Sequence, residues 1–322
     1  MPIVKSQYKP PIYMRQGDIN TIYAARIRPA NPQPYQRQRL ELEDGDFIDL
    51  DWLQHEQKTR KCVLMLHGLE GDTHRTYMQY MAELYHQNGW DVCCMNFRSC
   101  SEEINRVLSC YHSGKTDDVL EVLQRKICGV YEHIVLHGYS LGGNLVLKFA
   151  AEHPHIQQIK AVVSISSPID LESSSDSIMR RRNRVYERTF HKKLVKKLMD
   201  KKAQFPEELK EIDVKSIRNL REFDDAFTAP IHGFENASDY YAQSNSLPVL
   251  PQIKIPIYLL NALDDSFLST SCYPYALAEK MENLFLETPK NGGHVGFFLP
   301  QKYYYHEVQS LQFVQKHVTE II

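Results

Sequence analysis

The strongest constraint on the fold is the pentapeptide Gly138-Tyr139-Ser140-Leu141-Gly142, which separates two apolar segments of different length. The segment before it, residues 133–137, is short, apolar and partly β-branched, which is typical of a buried strand. The segment after it, residues 144–152, is long enough for a helix. Glycines around a serine at such a junction allow a sharp turn that exposes the hydroxyl group. We therefore predict a strand–turn–helix unit that presents Ser140 as a nucleophile.

Strand-like and helical patterns alternate along most of the chain. Strands are predicted at residues 62–66, 92–97, 133–137, 161–165, 256–260 and 284–286, and helices at 77–86, 116–127, 144–152, 275–282 and from about 303 to the C-terminus. The strands are apolar on both faces, which favours a mostly parallel sheet with helices on both sides. Residues 39–53 alternate around Asp44-Gly45 and predict a hairpin, so the sheet begins with an antiparallel pair.

The alternation is interrupted between Pro168 and Pro251. A loop of that length without secondary structure is uncommon, so we predict a helical insertion over the strand ends. The carboxyl ends of the strands are also where open α/β sheets bind ligands. We therefore expect an α/β core of residues 1–167 and 251–322, with a cap formed by residues 168–250.

The composition is that of an ordinary globular protein: 322 residues, 43% hydrophobic, 24% charged, with a net charge of −2. This charge gives no reason to expect a nucleic-acid partner. The seven cysteines are spread through predicted strands and helices, as expected for buried thiols in a reducing compartment. Residues 1–18 contain no apolar core of signal-peptide length, and no window approaches eighteen consecutive apolar residues. A cytoplasmic location is expected, and the oligomeric state is left open.

Acyl transfer at Ser140 needs a base, a carboxylate that orients the base, and donors for the oxyanion. His294 lies in a glycine-flanked turn after the last predicted strand, from which it can reach over the strand ends. Asp264 and Asp265 follow another apolar strand, and only one of them can point at the imidazole. We favour Asp265, with Asp264 as the alternative. The resulting order of serine, aspartate and histidine is that of an α/β hydrolase.

The turn 67–71, which follows the strand at 62–66, is the predicted oxyanion turn. The backbone N–H groups of Leu69 and Leu141 are the predicted oxyanion donors. We interpret His67 as a structural ring that shapes this turn. No cofactor is expected, and no metal site, because the cysteines and histidines lack paired ligand spacing. The alternative to this whole assignment is a glycine-rich turn whose serine has no chemical role.

Five motifs together resemble the YheT-like branch of the α/β-hydrolase superfamily. They are His67-Gly68-Leu69-Glu70-Gly71, Asn96-Phe97-Arg98, Tyr111-His112-Ser113-Gly114, Gly138-Tyr139-Ser140-Leu141-Gly142-Gly143-Asn144 and Asn261-Ala262-Leu263-Asp264-Asp265. The resemblance covers about residues 55–315 and implies a capped α/β-hydrolase fold with carboxylesterase or acyltransferase chemistry. The chain departs from the family pattern at Ser99, where glycine is frequent, and at Ser266, where proline is frequent. Both departures concern loop shape and substrate fit.

The predicted cap contains a strongly basic stretch. Residues 179–202 include eleven Lys or Arg residues against two acidic ones, interleaved with apolar residues at near-helical spacing. One interpretation is a cap helix with a solvated basic face and an apolar underside on the pocket. The other is a basic amphipathic helix that is in peripheral contact with an anionic membrane or attracts a substrate bearing a carboxylate or phosphate. An apolar underside would favour an acyl chain as ligand.

The sequence thus predicts a serine esterase that acts on small carboxylic esters with short to medium acyl chains, through an acyl-enzyme formed by Ser140, Asp265 and His294. An acyltransferase or thioesterase with the same triad is the first alternative. A non-catalytic lipid-binding or scaffold protein of the same fold is the second. The sequence does not decide between hydrolysis and alcoholysis.

Overall fold

A mixed β-sheet forms the centre of the molecule. The structure is a computed structural model, which describes residues 3–319. Within these residues nine strands lie in the order β1-β9-β8-β7-β6-β4-β5-β3-β2. The strands are β1 Ile3–Val4, β2 Gln36–Glu41, β3 Phe47–Leu53, β4 Lys61–Leu66, β5 Asp91–Met95, β6 His133–Tyr139, β7 Ile159–Ile165, β8 Ile257–Leu260 and β9 Leu284–Glu287. Neighbouring strands are parallel except in the pairs β2–β3 and β3–β5, so the predicted mostly parallel sheet with an antiparallel start is confirmed.

Helices flank the sheet and fill the long segment between β7 and β8. They are α1 Gly17–Ile22, α2 Thr76–Gln87, α3 Thr116–Val122, α4 Leu141–Glu152, α5 Leu171–Met179, α6 Arg184–Gln204, α7 Leu220–Phe223, α8 Ala229–Ile231, α9 Ala237–Ser244, α10 Tyr275–Ala278 and α11 Tyr305–Val314. Wider π-type turns of five residues extend α1, α3, α7 and α11. Among residues 3–319, no helix combines the length and the apolar character that crossing a bilayer requires.

The predicted strands and helices are all present, with ends that differ by a few residues. The largest differences are at the helix predicted for 275–282, which ends at Ala278, and at α4, which begins at Leu141 directly after Ser140. Residues 320–322 of the predicted C-terminal helix lie outside the described residues.

The continuous apolar strands are explained by a core on each face of the sheet. Successive side chains of a strand point to opposite faces. Leu64 of β4 packs into one core with Leu145 of α4, and its neighbour Val63 packs into the other with Met81 of α2 and Val314 of α11. Both β4 residues are fully buried. The sheet is therefore covered on both sides, and its strand ends are the edge left for a site.

Two elements near the N-terminus were not anticipated by the sequence pattern. Strand β1 pairs in parallel with β9, and Gln7 N–H donates to Tyr305 Oη at 3.1 Å. Helix α1 lies against the loop that carries His294, because a Cβ atom on Gly293 would come within 2.2 Å of the Gly17 carbonyl oxygen. A two-residue strand has no periodicity to detect, and α1 is short.

Candidate active site

Ser140 lies in a tight turn between β6 and α4, with φ at +52°. The left-handed region is unfavourable for serine, so the surrounding backbone must hold it there. That backbone is packed too closely for side chains. A Cβ atom on Gly138 would lie 2.1 Å from the Gly142 carbonyl oxygen, and one on Gly142 would lie 2.5 Å from the His67 carbonyl oxygen. The two glycines of the pentapeptide are therefore required by the geometry of the turn.

The structure brings Ser140, His294 and Asp265 into one hydrogen-bonded chain. His294 Nε2 lies 2.9 Å from Ser140 Oγ, and His294 Nδ1 lies 2.8 Å from Asp265 Oδ2. The other oxygen of Asp265 accepts from Phe267 N–H at 2.9 Å. Since a carboxylate only accepts, Nδ1 carries the proton and Nε2 presents its lone pair to the serine hydroxyl. This is the arrangement that a nucleophile, a base and an orienting acid require.

The neighbouring aspartates perform different tasks. Asp264 Oδ1 accepts from Gly293 N–H at 2.8 Å, and its Oδ2 accepts from the Asn291 side chain at 3.3 Å. Burial raises the pKa of the Asp264 carboxyl. Asp264 therefore anchors the loop that precedes His294, and Asp265 is the carboxylate in contact with the imidazole.

Two residues that support the loop of His294 were missed at the level of sequence. Thr21 Oγ1 accepts from His294 N–H at 2.8 Å, and Ser166 Oγ accepts from Val295 N–H at 2.9 Å. Thr21 is 273 positions away from His294 along the chain. No local pattern marks such a partner, because the contact exists only after α1 and the loop have come together.

The predicted oxyanion turn is a four-residue turn closed by a hydrogen bond from Gly71 N–H to the Gly68 carbonyl oxygen at 3.0 Å. Glu70 has φ at +54°, which matches a type II turn, in which the third residue is left-handed. Gly68 N–H donates to Tyr77 Oη and Glu70 N–H donates to Tyr111 Oη, both at 3.1 Å. The N–H groups on either side of Leu69 are thus already committed to protein acceptors.

Leu69 and Leu141 lie beside Ser140, as the sequence suggested. Both residues line the same cleft as Ser140. A Cβ atom on Gly68 would lie 3.1 Å from Ser140 Cβ, so the turn touches the nucleophile directly. Leu141 is also the first residue of α4, where backbone N–H groups lack intrahelical partners.

His67 is a structural residue of this turn. Its Nε2 accepts from Phe97 N–H at 3.2 Å, and its Nδ1 donates to the Gly68 carbonyl oxygen at 2.8 Å. Burial lowers the pKa of His67 to about 4, so the ring is neutral at physiological pH. The interpretation of His67 as a ring that shapes the turn is confirmed.

A largely apolar cleft opens at Ser140 and, with its mouth, encloses about 990 Å³ of empty space. Most of its lining comes from residues 168–250. The apolar side chains of that segment in the lining are Pro168, Leu171, Ile178, Leu194, Leu220, Phe223, Phe227 and Ile231. Within residues 3–319, no group of three or more His, Cys, Asp or Glu side chains is placed to hold a metal ion.

One carboxyl group lies within this apolar lining. Asp224 lines the cleft, and its Oδ2 accepts from Tyr241 Oη at 2.6 Å. Tyr241 Oη in turn lies 3.2 Å from Ser175 Oγ. Burial raises the pKa of Asp224 to about 6. The cleft therefore contains a group that titrates just below neutral pH.

Three lysines of the basic stretch point inward, whereas its five arginines are exposed. Lys193 Nζ donates to the Glu70 carbonyl oxygen at 3.0 Å, and Lys197 Nζ donates to Glu70 Oε1 at 2.8 Å. Lys201 Nζ donates to the Asn105 carbonyl oxygen at 2.8 Å. Residues four apart share one face of a helix. This face of α6 is therefore fastened to core loops, including the oxyanion turn.

Comparisons of the sequence with a family model and with known proteins agree on one family. A family model described as "alpha/beta hydrolase fold" matches residues 61–301. The Escherichia coli K12 protein named "Putative esterase YheT" is 37% identical over 269 residues, which cover 81% of this chain and 78% of that protein. Human phospholipase ABHD3 is 26% identical over 98% of this chain and 80% of its own length. The monoacylglycerol lipase of Saccharomyces cerevisiae is 26% identical over 74% of this chain and 55% of its own length.

Solved structures agree on the fold. The Pyrococcus furiosus esterase Pf2001 superposes with a TM-score of 0.57 at 15% identity, covering 88% of this chain and 90% of that one. Mouse alpha/beta hydrolase domain-containing protein 10 gives a TM-score of 0.57 at 13% identity, covering 89% of this chain and all of that one. The chain therefore belongs to the α/β-hydrolase superfamily and, within it, to the YheT-like branch.

Proposed function

We propose that this protein is a serine esterase that cleaves carboxylic esters through an acyl-enzyme on Ser140. The observation that carries the proposal is the hydrogen-bonded chain from Ser140 through His294 to Asp265, placed at the opening of an apolar cleft. A protein that only binds a ligand would not need a nucleophile, a base and an acid joined by hydrogen bonds. The relatives named as an esterase, a phospholipase and a monoacylglycerol lipase support an ester that carries an acyl chain.

The mechanism follows from the positions of these groups. His294 Nε2 takes the proton from Ser140 Oγ as that oxygen attacks the ester carbonyl carbon. Asp265 stabilises the imidazolium that forms. The N–H groups of Leu69 and Leu141 donate to the oxyanion. The tetrahedral intermediate collapses, His294 protonates the departing alcohol, and water activated by the same histidine releases the acid.

We propose that residues 168–250 form a cap that selects the substrate. They supply most of the cleft lining, and their contribution is mainly apolar. Burying each methylene of an acyl chain contributes about 0.8 kcal/mol, so such a surface favours an acyl group over a sugar or a peptide. The apolar lining around Ser140 supports an acyl chain as the group that the cleft binds. The substrate class is therefore a small or medium-sized acyl ester.

An acyltransferase or a thioesterase would use the same three residues, and would differ in the acceptor or in the leaving group. The test is a chain-length series of p-nitrophenyl esters, from acetyl to lauroyl, with and without added ethanol. We expect hydrolysis to peak at short to medium chains. Formation of ethyl ester in preference to free acid would favour the transferase, and faster cleavage of the matched thioester would favour the thioesterase.

Ser140→Ala tests the assignment of the nucleophile. We expect a fall in kcat of about 10⁵-fold to 10⁶-fold, as is found when a triad serine is removed, together with loss of fluorophosphonate labelling. Ser216→Ala, at an exposed serine outside the cleft, is the matched control and should leave both unchanged. Persistent labelling of the Ser140→Ala protein would refute the mechanism, and would leave the lipid-binding or scaffold alternative.

A further inference from the structure

The segment of residues 12–27 exposes an unusual number of large apolar side chains. Their exposed fractions lie between 42% and 79%, and the residues are Ile12, Tyr13, Ile19, Ile22 and Ile27. Single exposed apolar residues are common on protein surfaces, but a group within one short segment marks an interaction site.

Helix α1, in the middle of this segment, has two distinct faces. Ile19 and Ile22 are three positions apart, lie on one face and are exposed. Asn20, Thr21 and Ala24 lie on the other face and are buried. The inner face carries the Thr21 hydroxyl that holds the loop of His294. The outward position of the isoleucines is therefore fixed by the packing of the inner face.

The beginning of α6 adjoins this segment and is basic. Arg182 and Tyr186 both contact the carboxylate of Asp18, with donor–acceptor distances of 3.4 and 3.3 Å. Val185, the residue before Tyr186 in α6, is 76% exposed. We call residues 12–27 together with residues 181–188 the arm–α6 surface.

The charge of the arm–α6 surface is strongly positive. Its arginines are Arg15, Arg26, Arg181, Arg182, Arg184 and Arg188, and all six are exposed. Its two acidic residues are Asp18, which contacts Arg182, and Glu187, which is buried. The whole chain has a net charge of −2, so this surface is far more positive than the chain as a whole.

We propose that the arm–α6 surface docks on an anionic bilayer. Exposed isoleucines can enter the boundary between headgroups and acyl chains, while arginines bind the lipid phosphates. A second copy of the chain is disfavoured as the partner, because two surfaces of the same positive charge repel each other. Docking would bring the loop of His294 close to the membrane. The proposal is independent of the reaction that Ser140 performs.

The test is co-sedimentation of the purified chain with vesicles of phosphatidylcholine, alone or mixed with phosphatidylserine. We expect binding to the mixed vesicles that weakens as salt is added. Arg181→Gln with Arg184→Gln should weaken binding about 30-fold, at about 1 kcal/mol per arginine. Ile19→Ser with Ile22→Ser should weaken it about tenfold, because less apolar surface enters the bilayer.

Arg60→Gln with Val130→Ser is the matched control. Both residues are exposed, and they precede β4 and β6, at the amino ends of the strands. This control should bind like wild type, and all variants should hydrolyse p-nitrophenyl acetate as before. The proposal is overturned if wild type stays in the supernatant, whether or not it hydrolyses that ester. It is also overturned if the control loses as much binding, or if the isoleucine variant instead abolishes a concentration-dependent dimer.

Discussion

The two walls of the cleft are built in different ways. On the sheet side, the turn that holds Ser140 in the wall is fixed by backbone atoms in contact, as at Gly138, where a Cβ atom would lie 2.1 Å from a carbonyl oxygen. On the side of residues 168–250, long side chains reach across, as where Lys193 and Lys197 donate to Glu70. A backbone contact tolerates few residue types, whereas a side-chain contact can be remade. We infer that the first wall determines the reaction and the second determines the substrate.

The largest effect should come from the acid on the sheet side. Asp265→Asn should lower kcat by about 10⁴-fold, because an amide stabilises the wrong tautomer of His294. Asp264→Asn keeps an acceptor for the Gly293 N–H and should lower kcat by about tenfold or less. Steady-state kinetics with a p-nitrophenyl ester measures both. Equal losses would mean that the two carboxylates share one role.

Packing of the turn should give the next effect. Gly138→Ala should lower the free energy of unfolding by about 3 kcal/mol or more, or prevent folding, because the methyl group meets backbone rather than a movable side chain. Gly129→Ala is the control, since a Cβ atom there has no neighbour within 4 Å. Urea unfolding measures both variants. A stable Gly138→Ala protein would show that the sheet side of the cleft tolerates substitution as well as the side formed by residues 168–250.

The lysine contacts of the second wall should have a smaller effect. Lys197→Met removes the cation beside the buried carboxylate of Glu70, which borders Leu69 in the oxyanion turn. We expect kcat to fall about 10-fold to 30-fold, with partial rescue by Lys197→Arg. Lys196→Met, at an exposed neighbour, should have no effect. A rise in KM alone would show that Lys197 contacts the substrate and does not position the turn.

The smallest predicted effect is a pH dependence of the free energy of unfolding that originates at Asp224. Its pKa is raised by burial to about 6, above its value in the unfolded chain. Between about pH 4 and pH 6 the folded protein therefore binds more protons than the unfolded chain, and stability falls as pH rises. Asp224→Asn should remove this slope and be more stable than wild type above pH 7 by roughly 1–2 kcal/mol. Thermal unfolding across this range measures it; parallel curves for the two proteins would contradict the prediction.

Local sequence was sufficient for the residues that stand at junctions of strands, helices and loops. Ser140 and His294 lie in glycine-rich turns. The strands and helices on either side of each turn have recognisable apolar patterns, so the positions of both residues could be predicted. Asp264 and Asp265 share one such junction, and only the hydrogen bonds distinguish them. The sheet was likewise predictable, since its strands are buried on both faces.

Contacts between segments that are far apart in the sequence could not be predicted from local sequence patterns. Thr21 and Ser166 support the loop of His294 from other parts of the chain. The side of α6 that faces the core could not be predicted either, because Lys193 and Lys197 lie next to Leu194 and Leu198 on the helix surface. Either type of residue could have faced solvent. The acceptors that bind the lysines are carbonyl and carboxylate oxygens of a turn far away in sequence, which only the fold brings near.

The contact between Thr21 and His294 has a consequence for biosynthesis. At about 5–20 residues per second, the separation of 273 residues takes roughly 14–55 s to translate. For most of this interval α1 has no loop to support, and the strand that pairs with β1 has not been made. A nascent chain therefore carries Ser140 without its base until His294, 154 positions further along the chain, has also been made.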